Sequence, residues 1–238
     1  MNVQWEAAWQ AVIHHPLFGV AITLAAFQLS YAAYEKTRWV FLQPVLVSML
    51  MVVGVLLACG LGYEDYRLSA QMLTVMLGPA TVALAVPLYL NLRRIRELFG
   101  PIMITLLVGG ITATALGMAL AWVFGADRMV LMTLAPKSVT SPIAMLVAEQ
   151  IGGVVALAAV FVMITGILGA IFGPELLRRF GVQHPAARGM ALGLTAHAVG
   201  TAQALQESEE CGAFAALAMS LMGVLTAVLL PLAVSLSL

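Results

Sequence analysis

Charge is scarce in this sequence: only 9% of its 238 residues are Asp, Glu, Lys or Arg, against 62% hydrophobic, and the mean hydropathy is +1.02. A soluble domain carries roughly 25% charged residues, so the chain lacks the polar surface that would dissolve it. Eleven cations balance eleven anions, which leaves no electrostatic case for nucleic acid or for a polybasic lipid anchor. Cysteine is nearly absent too. Cys59 and Cys211 match no metal or redox spacing and read as small apolar packing residues. There is no HExxH, no G-x-S-x-G, no P-loop and no paired Asp within an apolar run, so neither an enzyme nor a cofactor is expected. The fourteen methionines are scattered and form no copper-site pattern. The N-terminus lacks a basic region before its first charge, Glu6, so a cleaved signal peptide is not expected.

What is present is apolar sequence in long runs. Trp39 to Tyr63, Leu68 to Leu92, Leu98 to Ala126, Gln150 to Pro174 and Cys211 to Leu238 contain no charged residue. Ala7 to Tyr34 and Gly189 to Gln206 join them, with histidines inside. About 20 apolar residues suffice for a helix to cross a bilayer. The runs show none of the period-two alternation of a barrel strand, so the backbone must satisfy itself as helix. The expected fold is an all-α polytopic membrane protein. It should have about seven transmembrane helices plus one broken or re-entrant segment, in a single integral membrane domain over residues 1–238. Trp5, Ala8, Trp9 and Val12 have helical spacing and fit a short surface helix before the first span, which Pro16 would open from position N1.

Eight of the eleven basic residues fall in three loops: Lys36 and Arg38; Arg93, Arg94 and Arg96; Arg178, Arg179 and Arg188. Basic loops stay cytoplasmic. Two apolar segments separate the first pair of loops, but three separate the second pair, so one of those three should fail to cross. Met129 to Glu149 is the candidate, because Pro136, Lys137 and Pro142 lie at its centre. It reads as a hairpin entering from the outer face, with the N-terminus outside and the C-terminus inside. The alternative is a kinked crossing helix that breaks the charge rule. Leu77-Gly-Pro-Ala-Thr-Val82 echoes Leu134-Ala-Pro-Lys-Ser-Val139. Paired Gly/Pro-interrupted segments point to a midplane site in transporters built from internal repeats. Gly78, Pro87, Pro136, Pro142 and Gly200 are therefore the expected backbone breaks.

The strongest local signal is Pro136-Lys-Ser-Val-Thr-Ser-Pro142. Neither proline can donate to a helix ladder, and Ser141 before Pro142 has the form of an N-cap and N1 pair. Lys137, Ser138, Thr140 and Ser141 then describe a pocket for a small carboxylate, with Pro79 and Thr81 lining an opposing break. A midplane lysine costs about 2.5–3.5 kcal/mol to insert, which calls for a ligand or a partner. The competing reading has Lys137 snorkel to an interface, or pair with Glu149 or Asp127. His197 could carry a coupling proton, since histidine titrates near neutrality, or could be a hydrogen-bonded structural residue. Glu149 with Gln150 could carry a proton or form a wet turn. Gly189/Gly193 and Gly169/Gly173 have GxxxG spacing and read as helix-packing positions. Tyr89 and Asn91 fit an interface anchor better than a ligand contact, and no mechanism is read into His14 or His15.

At these residues the chain resembles the LrgB/CidB family of bacterial membrane proteins, which includes the plastid glycolate/glycerate translocator. The similarity lies in Gly78-Pro-Ala-Thr-Val-Ala-Leu-Ala-Val-Pro-Leu-Tyr89, Leu134-Ala-Pro-Lys-Ser-Val-Thr-Ser-Pro-Ile-Ala144, Ile151-Gly-Gly153, Ala187-Arg-Gly189, His197, Gly200-Thr-Ala202 and Gly212-Ala-Phe214. These stretches cover Leu42 to about Pro231. The family often has a charged or polar residue after Pro-Leu-Tyr; here Leu90 stands there. The resemblance implies a protein of the bacterial cytoplasmic (inner) membrane with one of two functions. One is proton-coupled transport of small monocarboxylates such as pyruvate, glycolate or glycerate with a small LrgA/CidA-like partner, the reading that the Pro-interrupted lysine site favours. The other is holin/antiholin-like control of murein hydrolase export and lysis. A homo-oligomer is expected in either case.

Overall fold

The computed structural model describes residues 2–37, 39, 42–83 and 85–236, and at 2–5, 77, 80, 81 and 87 the backbone alone. Arg38 and the side chains of Trp5, Thr81 and Pro87 lie outside the described residues. Among the described residues all regular structure is helical, in thirteen helices. The chain divides into two compact units, residues 1–83 and 84–238.

In the first unit, α1 (Asn2–Ile13) and α2 (Phe18–Thr37) meet at an angle of 79°. The short N-terminal helix expected around Trp9 is present. Pro16, however, sits in the turn before α2 and not at its first position. Gln43 caps α3 (Pro44–Cys59), its Oε1 accepting from the Leu46 N–H at 2.8 Å, and Gly60 at φ 67° ends the helix. The stretch read as a polar loop contains α4 (Tyr63–Ser69), turned 115° from α3. Asp65 accepts from the Gly62 N–H at its start, at 3.0 Å. α4 lies on α2, where Thr23 Oγ1 and Tyr66 Oη are 2.9 Å apart and Ser69 Oγ accepts from the Gly19 N–H at 3.1 Å. A Cβ on Gly19 would meet the Ala70 backbone nitrogen at 2.8 Å, so only glycine permits that contact. α5 (Gln71–Ala83) runs unbroken through Gly78 and Pro79. The break expected at Gly78 is therefore absent: an apolar helix turn can tolerate the one N–H that proline lacks.

The second unit begins with α6 (Ala85–Leu90), which contains Pro87, so Pro87 is not a break within it. The basic stretch after Asn91 is itself helical, α7 (Leu92–Glu97). Three long helices follow, interrupted by two shorter segments: α8 (Phe99–Val123), α11 (Val155–Arg179) and α13 (Glu209–Leu236). These three are long and apolar enough to cross a membrane, and the described chain has five such spans if each bent pair of the first unit counts as one. Seven spans are not found among the described residues. α11 also continues past Pro174 into what reads as a loop.

Their faces are sorted for lipid. On α11, Ala158, Val162, Gly166 and Ala170 are buried, while Val160, Ile164 and Leu168 are exposed. Small residues inside and large apolar ones outside is the pattern of a membrane bundle, where close packing replaces the hydrophobic effect between helices.

Two segments of this unit reverse direction. α9 (Arg128–Leu134) and α10 (Ser141–Gln150) flank the turn 135–140. Beyond them Thr133 Oγ1 accepts from the Val154 N–H at 2.8 Å. In a straight helix those residues would be about 31 Å apart. Ala135 packs with Val147 and Ile151, so α10 folds back beside the turn.

α12 (Pro185–Glu207) has non-helical dihedrals at His197, φ 42° and ψ −128°. Arg188 in its first turn donates through Nε and Nη2 to Glu207 in its last, at 2.7 and 2.9 Å. A straight helix would hold these residues about 28 Å apart. α12 is thus a hairpin with His197 at its bend. Gly200, expected as the break, lies in the second leg, where the Leu192 carbonyl occupies the space its Cβ would need.

Candidate functional site

The turn between α9 and α10 puts the Lys137 side chain along α8. Lys137 Nζ donates to the Ala113 carbonyl at 3.2 Å and to Ser138 Oγ at 3.3 Å. A Cβ on Gly117 would stand 2.7 Å from Lys137 Cε, so glycine opens the slot for the chain. Lys137 is half-buried, whereas Pro136, Ser138 and Val139 around it are buried. Among the described residues Lys137 forms no ion pair: Asp127 caps α9 by accepting from the Val130 N–H at 2.8 Å, and Glu149 is exposed in the last turn of α10. A cation in this position lacks the counter-charge that a low-dielectric site requires. The expected helix start shifts by one residue, since Thr140 is the N-cap and Pro142 follows Ser141 inside the first turn; the Thr140 side chain makes no cap hydrogen bond.

His197 is 4% exposed, and its Nε2 lies 2.9 Å from the Val162 carbonyl. A carbonyl only accepts, so Nε2 carries the proton in this contact. Gly166 admits the ring: a Cβ there would meet His197 Cε1 at 2.6 Å. Thr201 Oγ1 donates to the His197 carbonyl at 2.9 Å. The bend is therefore held by its own side chain and by the next turn. A positive φ at a histidine is a strained conformation of order 1–3 kcal/mol that surrounding contacts must enforce. Those contacts include both GxxxG pairs. Cys211 and Ala215 backbone atoms fill the space beside Gly189 and Gly193, while Ala196 and Leu192 fill it beside Gly169 and Gly173. The packing reading of all four glycines agrees with this geometry.

Other sequence candidates fall elsewhere. Tyr89 is exposed on α6, and Asn91 lines a recess of about 360 Å³ with Arg93, Arg94, Glu97 and His184. The cations of that recess are paired: Arg94 with Glu210 at 3.0 Å and with His184 Nε2 at 3.0 Å, and Arg93 with Glu97 at 3.0 Å. Pro79 is exposed on α5, in the first unit. An apolar groove of about 270 Å³ between α8 and α13 has only Thr114 and Thr226 as hydroxyl residues and offers no charge. Sequence reasoning missed the bend at His197, because neither proline nor glycine occupies it.

Comparison with known proteins gives one consistent result. The model of the LrgB-like family matches residues 23–236. The uncharacterized protein YxaC of Bacillus subtilis is 36% identical over 215 residues, covering 90% of this chain and 94% of that protein. A protein of Staphylococcus epidermidis named holin-like protein CidB is 32% identical over 212 residues, 89% and 93% of the two chains. One of Bacillus mycoides named antiholin-like protein LrgB is 30% identical over 218 residues, 91% and 95%. No solved structure matches the chain. With its apolar helices and a family match across nearly its whole length, this membrane protein belongs to the LrgB-like family.

Proposed function

We propose that the chain is a holin/antiholin-like protein of the bacterial cytoplasmic membrane, controlling murein hydrolase export and lysis together with a small LrgA/CidA-like membrane protein. The support is the alignment, over about nine-tenths of the chain, with relatives named holin-like and antiholin-like. Expression in bacterial cells should change the amount of murein hydrolase activity in the medium, and the effect should depend on co-expression of the small partner. Unchanged hydrolase release with and without that partner would contradict the proposal.

One observation favours a second reading, transport of a small monocarboxylate of the pyruvate, glycolate or glycerate class, coupled to protons. It is the Lys137 ammonium, held at a chain reversal with a carbonyl and a hydroxyl but no carboxylate among the described residues. In this reading Lys137, Ser138, Thr140 and Ser141 hold the carboxylate, and His197 or Glu149 is the proton-linked group. Proteoliposomes distinguish the two. A carrier takes up labelled pyruvate with saturation and loses that uptake in Lys137→Ala, while a holin-like lesion releases dyes without saturation up to a size limit.

A further inference from the structure

The two chain reversals of the second unit approach each other from opposite ends. Arg94 bonds to His184 and Glu210, and Arg188 bonds to Glu207, so both ends of α12 and the start of α13 share the end of the unit where α8 begins. α9 starts at the other end, just after α8 finishes at Val123, and α11 starts there too, beside Thr133. Lys137 meets α8 at Ala113, ten residues before Val123, or about 15 Å along the axis. His197 meets α11 between Val162 and Gly166, seven to eleven residues after Val155, or about 10 to 16 Å. Both tips therefore stand at a similar depth, near the middle of 25-residue helices. They also share one core, in which Val139 of the first tip packs in a cluster with Leu194, just before the second, and with Val162, the acceptor for His197.

We infer that α12 is a re-entrant hairpin entering from the face opposite to α9–α10, and that the two tips close one site for a small anion. Lys137 and Ser138 form one wall, and the turn from His197 to Thr201 forms the other. This rests on the carboxylate reading of Lys137 and adds the second wall and the access routes. Residues 198–200 open a new helix, whose first amide groups have no acceptor within it, at the depth where the first tip carries an ammonium. Hairpins inserted from opposite faces let the site open to one side at a time, the geometry that alternating access needs. Six basic residues, Arg93, Arg94, Arg96, Arg178, Arg179 and Arg188, lie at the α12 end, which the positive-inside rule makes cytoplasmic; α13 then runs outward, in place of the C-terminus inside that the sequence predicts.

The test uses full-length protein in which Cys59 and Cys211 are replaced by Ser and Ala. Single Gln183→Cys, Glu209→Cys and Gln150→Cys variants are labelled in intact cells and in inverted vesicles with a membrane-impermeant maleimide. Residues 183 and 209 should react from the same face, and residue 150 from the opposite face. An Ala198→Cys variant is then alkylated with and without millimolar pyruvate, which should slow the reaction at least threefold, and Lys137→Ala should remove that protection. If residues 183 and 209 label from opposite faces, α12 crosses and the inference fails, with the Lys137 reading untouched. If the labelling pattern holds but pyruvate leaves the alkylation rate unchanged, the shared site fails, while saturable pyruvate uptake that Lys137→Ala abolishes would keep the carboxylate reading.

Discussion

The two reversals of the second unit solve the same problem with different chemistry. The turn 135–140 is built from residues that cannot continue a helix, with Pro136 at its start and Pro142 just inside α10. The bend in α12 contains no proline and is imposed from outside. The His197 ring is fixed on Val162, Arg188 and Glu207 tie the legs together, and glycines let α11 and α13 approach to backbone distance. The first is local and cheap to form. The second exists only when its neighbours are in place, so substitutions should separate the two sharply.

The largest effect is expected where the second reversal is clamped. In Gly193→Ala the new Cβ would collide with the Ala215 backbone, which cannot swing aside. The cost should be about 3 kcal/mol, read as loss of monodisperse protein or a large fall in Tm in detergent. Gly117→Ala is the matched change at the first reversal. There the obstacle is the flexible end of Lys137, so stability should fall by less than about 1 kcal/mol. Equal losses at the two glycines would erase the distinction.

Next comes the tie between the legs. The Arg188 and Glu207 side chains are only 17% and 22% exposed. Arg188→Ala or Glu207→Ala should each cost about 2 kcal/mol, and the swap Arg188→Glu with Glu207→Arg should recover at least half. A double-mutant cycle showing no coupling would mean that the legs do not meet. At the bend itself, His197→Gly gives up the Val162 hydrogen bond, worth about 1 kcal/mol, but relieves positive-φ strain of similar size. Loss of the buried ring also leaves a cavity, so His197→Gly should melt below the parent, and His197→Ala, which loses the same contacts and keeps the strain, lower still. At the foot of the first hairpin, Thr133→Val strands the Val154 N–H and should cost about 1 kcal/mol.

The same contrast explains what could be read from the amino-acid sequence. Helical membrane character follows from uncharged runs, and the first break follows from Pro136 and Pro142, because both signals are local. Gly78-Pro79 carries the same local signal, yet α5 continues through it; a proline permits a break but does not compel one. α4 and α7 were hidden by their charge, which marks them as loops although both are helical. The fold of α12 had no local mark, since His197 acquires its backbone conformation from Val162, thirty-five residues away. Of the site residues, Lys137 and Ser138 stood out because an ammonium amid apolar sequence demands a reason, while Glu149 lies exposed and apart from them.

The reversal at His197 is the claim on which the paired geometry stands, and one distance decides it. Spin labels at Gln183→Cys and Glu209→Cys, in protein free of native cysteines and reconstituted in a bilayer, report the separation of the two ends of α12. The hairpin predicts a distance below about 20 Å. A straight helix across those 26 residues would give about 39 Å, and that result would contradict the account.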